Sequence, residues 1–162
     1  MLMFFSCTSV PDGLRPVSGF DVSRYLGKWY EIARLDHRFE RGLTRVSAEY
    51  TLRPDGHLSV LNRGFSEAGG IWKEALGVAK SRTDRTIGSL RVSFFGPFYG
   101  GYHILDLDKD NYRWAVVCGS SRKYLWILAR EKTLEKELLD GLVARARSWG
   151  FDTEKLIFVR QD

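Results

Sequence analysis

The sequence predicts an all-β protein: an eight-stranded antiparallel up-and-down barrel, followed by one α-helix and a short final strand. Three observations lead to this prediction. Short alternating apolar and polar runs, separated by turn residues, recur between residues 27 and 130. A helical spacing of apolar residues is found after residue 130. The 16 glycines and the 14% of aromatic residues are typical of short strands and tight turns.

The strands follow one another in a regular order. The first begins at Gly27 and extends to residue 34. Residues 46–52 and 57–62 alternate on either side of Pro54-Asp55-Gly56, which predicts a hairpin. Further strands are predicted at residues 72–80, 89–95, 101–106, 112–118 and 124–130. Eight antiparallel strands can close into a barrel whose interior holds one small ligand.

A helix is predicted at residues 134–149, where apolar residues recur at helical spacing: Leu134, Leu138, Leu142, Ala146 and Trp149. Gly150 ends this helix, and Arg145 and Arg147 lie in its last turns, where the helix dipole favours cations. We expect the helix to dock against the barrel wall rather than to lie on a membrane surface. Residues 155–159 are predicted to form the final strand.

Composition limits the partners of the chain. A length of 162 residues with 44% hydrophobic residues suits one domain with a sizeable core. The net charge of +5 favours anionic partners such as acidic lipid head groups or fatty carboxylates. The basic residues are scattered, without a run of four, so no nucleic-acid partner is expected.

The first 19 residues are predicted to precede a domain at residues 20–162. Cys7 follows a short apolar segment that ends in a small residue, as at the end of a bacterial lipoprotein signal, where the cysteine becomes lipidated. This signal remnant has no basic residue and is shorter than the roughly 7–15 apolar residues of a working signal. Two interpretations stay open: a start further upstream, which we favour, or a cytoplasmic protein with a chance similarity. Residues 8–18 are predicted to be a flexible tether.

Three motifs are distributed along the domain: residues 25–34 (YLGKWYEIAR), 92–102 (VSFFGPFYGGY) and 124–130 (YLWILAR). Together with the order of barrel, helix and strand, they resemble the lipocalin family. The resemblance is strongest to its bacterial outer-membrane members and to the apolipoprotein D-like branch, and it covers residues 20 to 160.

The resemblance implies how the barrel closes. In lipocalins, the arginine before the C-terminal helix packs over the tryptophan of the first strand, as a structural cation–π contact. Gly27, Trp29 and Arg130 match these positions. The chain departs from the family at Lys109-Asp110-Asn111-Tyr112, where many lipocalins carry Thr-Asp-Tyr, so the bracing of the closed end stays open.

The resemblance also implies ligand contacts in the calyx, the cup formed by the barrel. Tyr50, Asn62 and Trp126 match positions that line it in the apolipoprotein D-like branch, and a mostly apolar cavity with a few polar groups suits a lipid. The alternative for Asn62 is an outward-facing position at the end of a strand.

Residues 94–102 are predicted to form an aromatic loop punctuated by glycines, at the mouth of the cup or in a dimer interface. Its candidate ligand contacts are Phe94, Phe98 and Tyr102. Ordinary packing across a hairpin is the alternative.

Four basic residues are expected in the first long loop, where they could meet a fatty carboxylate or a lysophospholipid phosphate: Arg34, His37, Arg38 and Arg41. Arg34 is the ligand contact that we predict among them, and a solvated basic loop is the alternative.

The function implied by the resemblance is the binding, transport or storage of fatty acids or lysophospholipids at the periplasmic side of the outer membrane. No enzyme activity and no cofactor are expected, and a homodimer stays open. Two alternatives stay open. One is a lipocalin-fold isomerase with Cys118 as its nucleophile, although Cys118 also fits a small buried thiol. The other is a haem-binding barrel with His103 as axial ligand.

Overall fold

The computed structural model describes residues 7–162, so the signal-like segment before Cys7 lies outside the described residues. Each strand of the barrel pairs with the next in antiparallel fashion, and β1 pairs with both β2 and β8, which closes the barrel. The predicted up-and-down barrel is confirmed. Its strands are β1 (Gly27–Leu35), β2 (Leu43–Leu52), β3 (Leu58–Ser66), β4 (Ile71–Ser81), β5 (Ser89–Phe95), β6 (Phe98–Leu107), β7 (Trp114–Cys118) and β8 (Leu125–Ala129).

The final strand, β9 (Leu156–Phe158), lies outside the barrel circuit. It pairs with residues 33–35 of β1. These residues follow Tyr30, the last residue of β1 that pairs with β2. The side chain of Gln161 then donates hydrogen bonds to the carbonyls of Glu31 and Val46, at 2.8 and 2.9 Å. The C-terminal segment therefore bridges the gap between β1 and β2.

The loops of the barrel divide between its two ends, because successive antiparallel strands run in opposite directions. The open end carries the loops after β1, β3, β5 and β7, at residues 36–42, 67–70, 96–97 and 119–124. The closed end carries the remaining loops, at residues 53–57, 82–88 and 108–113, and the short helix α1 (Val22–Tyr25) that precedes β1.

The closed end is held by the lock that the family resemblance implies. The guanidinium carbon of Arg130 lies 3.9 Å from the centroid of the Trp29 ring. The same guanidinium donates to the carbonyls of Arg24, Leu26, Lys28 and Tyr112, at 2.7 to 3.1 Å. Four backbone acceptors and one aromatic face therefore surround a single cation.

The departure at residues 109–112 does not weaken this end. The guanidinium of Arg24 donates to the backbone carbonyls of Lys109 and Asp110, at 3.1 and 2.6 Å, and lies over the Tyr112 ring. The backbone N–H of Asp21 donates to the Tyr112 hydroxyl at 3.0 Å. Backbone carbonyls of Lys109 and Asp110 and the Tyr112 side chain therefore brace this end in place of the family motif.

Two separate apolar cores result. The inner core fills the lower barrel around Tyr25, Trp29 and Tyr50. The outer core lies between the wall of β6, β7, β8 and β1 and the helix α2 (Lys136–Ser148), whose Leu142 and Ala146 are buried. The predicted docking of this helix is confirmed, and Arg145 adds an ion pair with Asp106 on β6.

Two local predictions are wrong. The seventh strand begins at Trp114 rather than at residue 112, because Tyr112 has a φ of 51° and its N–H closes a turn on the Asp108 carbonyl. Residues 8–18 do not form a flexible tether. Val17 pairs with Ile104 through backbone hydrogen bonding, and His103 Nε2 donates to the Ser9 carbonyl at 3.0 Å.

Over residues 7–162, no helix is both long enough and apolar enough to cross a membrane.

Gly27→Ala should destabilise the protein by about 1–3 kcal/mol, because Gly27 has a φ of 97° and an added Cβ would lie 3.3 Å from Nη1 of Arg130. Urea unfolding at equilibrium measures the change. Gly100→Ala is the matched control, since Gly100 has open space around it and no positive φ, and it should leave stability unchanged or slightly higher. Equal losses in the two variants would contradict the lock.

Candidate functional site

The inner face of the barrel follows from strand register. Residues paired directly across strands point to the same face, so Trp29, Ala48, Asn62 and Ala75 form one row across β1 to β4. Trp29 is fully buried, Ala48 and Asn62 are half-buried, and Ala75 is exposed. Asn62 therefore faces inward, and the alternative of an outward position is wrong.

Solvent reaches this row at its β4 end, where Ala75 is exposed. The pairing of β4 with β5 covers residues 78–81 of β4, so the earlier part of β4 lies apart from β5. The inward positions at its middle, Ala75 and Gly77, are small. The Phe94 ring lies so close to Gly77 that an added Cβ would meet it at 2.7 Å. Small wall residues and an interrupted ladder leave the upper interior accessible.

Three tyrosine hydroxyls form a chain across the lower interior. The hydroxyls of Tyr25 and Tyr102 are 2.6 Å apart, and the Tyr50 hydroxyl donates to that of Tyr102 at 2.8 Å. The Tyr25 ring packs on Trp29, with ring centroids 4.7 Å apart. Burial raises the pKa of all three phenols, so they remain neutral. Two predicted ligand contacts, Tyr50 and Tyr102, therefore meet at the floor of the interior.

Arg34 is placed differently from the prediction. It lies in β1 rather than in the loop that follows, and its side chain is 2% exposed. Its guanidinium donates to carboxylate oxygens of Glu31 and Asp36, both at 3.3 Å, and to the carbonyls of Glu40 and Leu43. Since protein acceptors already hold these donors, Arg34 is not a free cation for a ligand.

Glu40 reaches from the β1–β2 loop into the same cluster. One of its oxygens accepts hydrogen bonds from Nε1 of Trp126 and Nε2 of His37, each at 3.0 Å. The second oxygen, Oε2, is buried and lies 3.9 Å from the Arg34 guanidinium. Trp126, a predicted calyx residue, thus connects the barrel wall to the loop above it.

The two buried carboxyl groups divide one charge between them. Burial, together with the negative charge of Glu40, raises the pKa of Glu31 well above its usual range. Burial alone would also raise the pKa of Glu40, but hydrogen bonds from Glu31, His37 and Trp126 outweigh it and lower that pKa. Glu31 is therefore the protonated member, and Asp36 and Glu40 supply the negative charges beside Arg34.

The remaining basic residues of the first loop are mostly engaged within it. His37 pairs with Glu40, and Arg41 pairs with Asp36 at 3.1 Å. Arg38 is exposed and lies over the Phe39 ring at 4.8 Å. The loop is therefore not the free basic rim that the sequence suggests.

The aromatic segment is a hairpin rather than a loop. Phe95 pairs with Phe98 across a turn of two residues, Gly96 and Pro97. Phe94 is half-buried and packs against the inner core. Phe98, a predicted ligand contact, is 56% exposed at the open end. The connection between β5 and β6 is therefore a turn of two residues, and most of the predicted loop belongs to these two strands.

The residues of the two alternative functions lie on the outer face of the barrel. Cys118 is buried in the outer core, and burial raises its thiol pKa to about 12. His103 is buried between Ser89 and Ser9, which hold its two ring nitrogens at 2.9 and 3.0 Å. Neither side chain faces the interior. Within residues 7–162, no three His, Cys, Asp or Glu side chains are grouped to hold a metal ion.

Sequence reasoning missed the two carboxyl groups. Alternation along β1 could have found Glu31, because it lies two residues after Trp29 and shares its inward face. A bulge between Glu31 and Ala33 shifts the alternation and brings Arg34 inward as well. No local pattern marks Glu40, which reaches the cluster through the fold of its loop.

Glu40→Gln should destabilise the protein by about 1–3 kcal/mol at neutral pH, because the Arg34 cation loses its buried counter-charge. Glu31→Gln is the matched control and should change stability by less than about 1 kcal/mol, since Glu31 is already neutral. Thermal or urea unfolding of both variants measures the difference.

The contribution of Glu40 to stability depends on pH. The folded pKa of Glu40 is depressed, so its contribution is present above the usual value of 4.5 and is lost as the pH falls below it. Glu40→Gln should lose less stability than the parent protein below pH 4.5. An unchanged acid limb in this variant would show that Glu31 carries the charge.

Known proteins are similar to this chain in sequence and in architecture. The family model for a lipocalin-like domain matches residues 20–161. Outer membrane lipoprotein Blc of Vibrio cholerae is 53% identical over 155 residues, which cover 96% of this chain and 91% of that protein. Apolipoprotein D of Mus musculus is 34% identical over 144 residues, covering 85% and 75% respectively.

The solved structure of insecticyanin from the tobacco hornworm, Manduca sexta, superposes with a TM-score of 0.74 at 26% identity, over 93% of this chain and 85% of that one. The resemblance to bacterial outer-membrane members and to apolipoprotein D is confirmed. The chain belongs to the lipocalin family.

Proposed function

We propose that this lipocalin binds a single-chain lipid, either a fatty acid or a lysophospholipid, inside its barrel. It does so at the periplasmic side of the bacterial outer membrane, where Cys7 carries a lipid anchor, and it stores or transports the bound lipid. Two facts support the location: Cys7 is exposed, and the relative from Vibrio cholerae is named an outer membrane lipoprotein. The family itself supports the coarser function, the binding of small hydrophobic ligands.

The accessible inner row carries this proposal. Ala48, Asn62 and Ala75 are small or polar inward residues that solvent reaches, and Trp126 and Phe94 stand on the same face. Apolar walls with a few polar groups suit an alkyl chain, whose burial contributes about 0.8 kcal/mol per methylene. The chain would descend from the open end toward the tyrosine floor.

The head group would lie at the open end, outside the buried cluster. Arg34 is already paired with Asp36 and Glu40 and cannot serve as its partner. Lys73 is exposed, lies two residues before Ala75 and therefore shares its inward face. We assign Lys73 as the cation that meets a carboxylate or phosphate at the calyx entrance.

A binding role agrees with the positions of the candidate catalytic groups better than an enzymatic one does. Cys118 is a buried thiol with a raised pKa on the outer face, so it is not an activated nucleophile. Both ring nitrogens of His103 are held by protein groups outside the calyx, which leaves none for a haem inside it.

Native mass spectrometry with palmitoyl lysophosphatidylethanolamine and with palmitate tests the proposal. The parent protein should bind one lipid molecule. Ala75→Trp should weaken binding at least about tenfold, because an indole on the inward face fills the space of the alkyl chain. Leu76→Trp is the matched control, since Leu76 is 68% exposed on the opposite face of the same strand, and it should bind like the parent protein.

Circular dichroism establishes that both variants remain folded. A folded parent protein that binds neither lipid would contradict the ligand class. Equal weakening by both variants would contradict the inner row as the site. Lys73→Ser should weaken the binding of both lipids, and unchanged affinity would remove Lys73 from the site.

A further inference from the structure

We propose that the open end of the barrel is a membrane-contacting surface, which sets the calyx entrance against the lipid bilayer. This inference extends the proposed function, because it specifies how the protein stands on the membrane. The surface, here called the rim, consists of the exposed apolar residues Phe39, Ile71, Phe95 and Phe98, with the exposed cations Arg38, Lys73 and Lys123.

Exposed apolar residues are distributed unequally between the two ends. Phe39 stands on the β1–β2 loop, Ile71 follows the β3–β4 loop, and Phe95 and Phe98 flank the β5–β6 turn. They are 63, 54, 71 and 56% exposed, respectively. At the closed end, one large apolar residue of the described chain that adjoins a loop has a similar exposure: Leu52, at 59%. Aromatic loop tips held in water on one end of a molecule indicate an apolar partner at that end.

The charges of the rim specify the partner further. Among the acidic residues of the open-end loops, Asp36 pairs with Arg41, Glu40 is drawn into the interior, and Glu67 pairs with Arg160. Arg38, Lys73 and Lys123 stay exposed. Phenylalanine together with lysine and arginine fits a bilayer that contains anionic lipid.

The course of the N-terminal segment brings Cys7 to the same end. The Ser120 hydroxyl, in the β7–β8 loop, donates to the Cys7 carbonyl at 2.7 Å. Arg122 of that loop donates to the Asp12 carbonyl, also at 2.7 Å. From there the segment follows the wall, and at Val17 it pairs with Ile104 before it reaches the closed end.

The domain thus begins at the closed end, while Cys7 lies at the open end. An acyl group on Cys7 would enter the bilayer on the side from which the rim phenylalanines project. The position of Cys7 and the residues of the rim therefore favour the same orientation, with the open end facing the bilayer. In this orientation a lipid passes between bilayer and calyx without crossing water.

A second copy of this chain fits the rim less well. A symmetric dimer through the open end would bring the cations of each rim toward those of the other copy. The position of Cys7 would also have no consequence for such a contact. We therefore assign the rim to a lipid surface and leave self-association as an outcome of the test.

Vesicle flotation tests the inference with the full chain carrying Cys7→Ser, so that no acyl group contributes. The vesicles contain phosphatidylethanolamine with a minority of phosphatidylglycerol. The parent should float with them, and Phe39→Ser with Phe95→Ser should reduce the bound fraction at least about fivefold. The matched control is Leu52→Ser with Leu76→Ser, whose residues are 59 and 68% exposed away from the rim, and it should float like the parent.

Orientation is measured separately with an environment-sensitive dye on an introduced cysteine. In the same Cys7→Ser background, Lys123→Cys places the dye at the open end and Lys109→Cys places it at the closed end. The emission should shift to the blue with vesicles only for the dye at the open end. A shift at the closed end, or at both ends equally, would overturn the inference.

Three further outcomes would also overturn it. The parent chain could fail to float, both double variants could lose binding equally, or the rim variant could change the sedimentation of the protein without vesicles, which would make the rim a self-association surface. Lysophospholipid binding by native mass spectrometry is measured on the same proteins. Because Phe39 and Phe95 lie outside the inner row, failure of the rim and failure of the calyx are distinguishable.

Discussion

The guanidinium of Arg130 lies over the Trp29 ring and holds four backbone carbonyls, and this contact makes the closed end of the barrel a floor. A cation in that position is stabilised by the ring and by the four backbone acceptors. Gly27 admits it, because a side chain there would meet the guanidinium. With the floor fixed, Tyr25 packs on Trp29 at the base of the interior.

The charges of the upper interior are balanced within one buried cluster. Arg34 is paired with Asp36 and Glu40, and Glu31 stays protonated beside them, so the charges of this polar cluster are paired within it. Such a cluster can fix the β1–β2 loop over the barrel through Trp126. We therefore propose that exposed cations at the entrance, rather than this cluster, meet an anionic head group.

Periodicity and turn residues sufficed to predict most of the fold. The eight strands, the hairpin at Pro54-Asp55-Gly56 and the docked helix are all local patterns, and each is confirmed. The errors lie where contacts between distant residues decide. The segment at residues 8–18 lacks periodicity, yet backbone hydrogen bonds order it along β6, and a bulge turns Arg34 inward against simple alternation. The partner of a loop carboxylate such as Glu40 depends on the closed barrel, which no short pattern encodes.

The central claim is that a lipid chain lies inside the barrel and enters it from the open end. Photo-crosslinking with a lysophosphatidylethanolamine that carries a diazirine at the end of its acyl chain tests it most directly. The account predicts that digestion and mass spectrometry find the label on peptides of β2 and β3 that contain Tyr50 and Val60, on the inner face above the floor. Label on α2 or β9, outside the barrel, would contradict it.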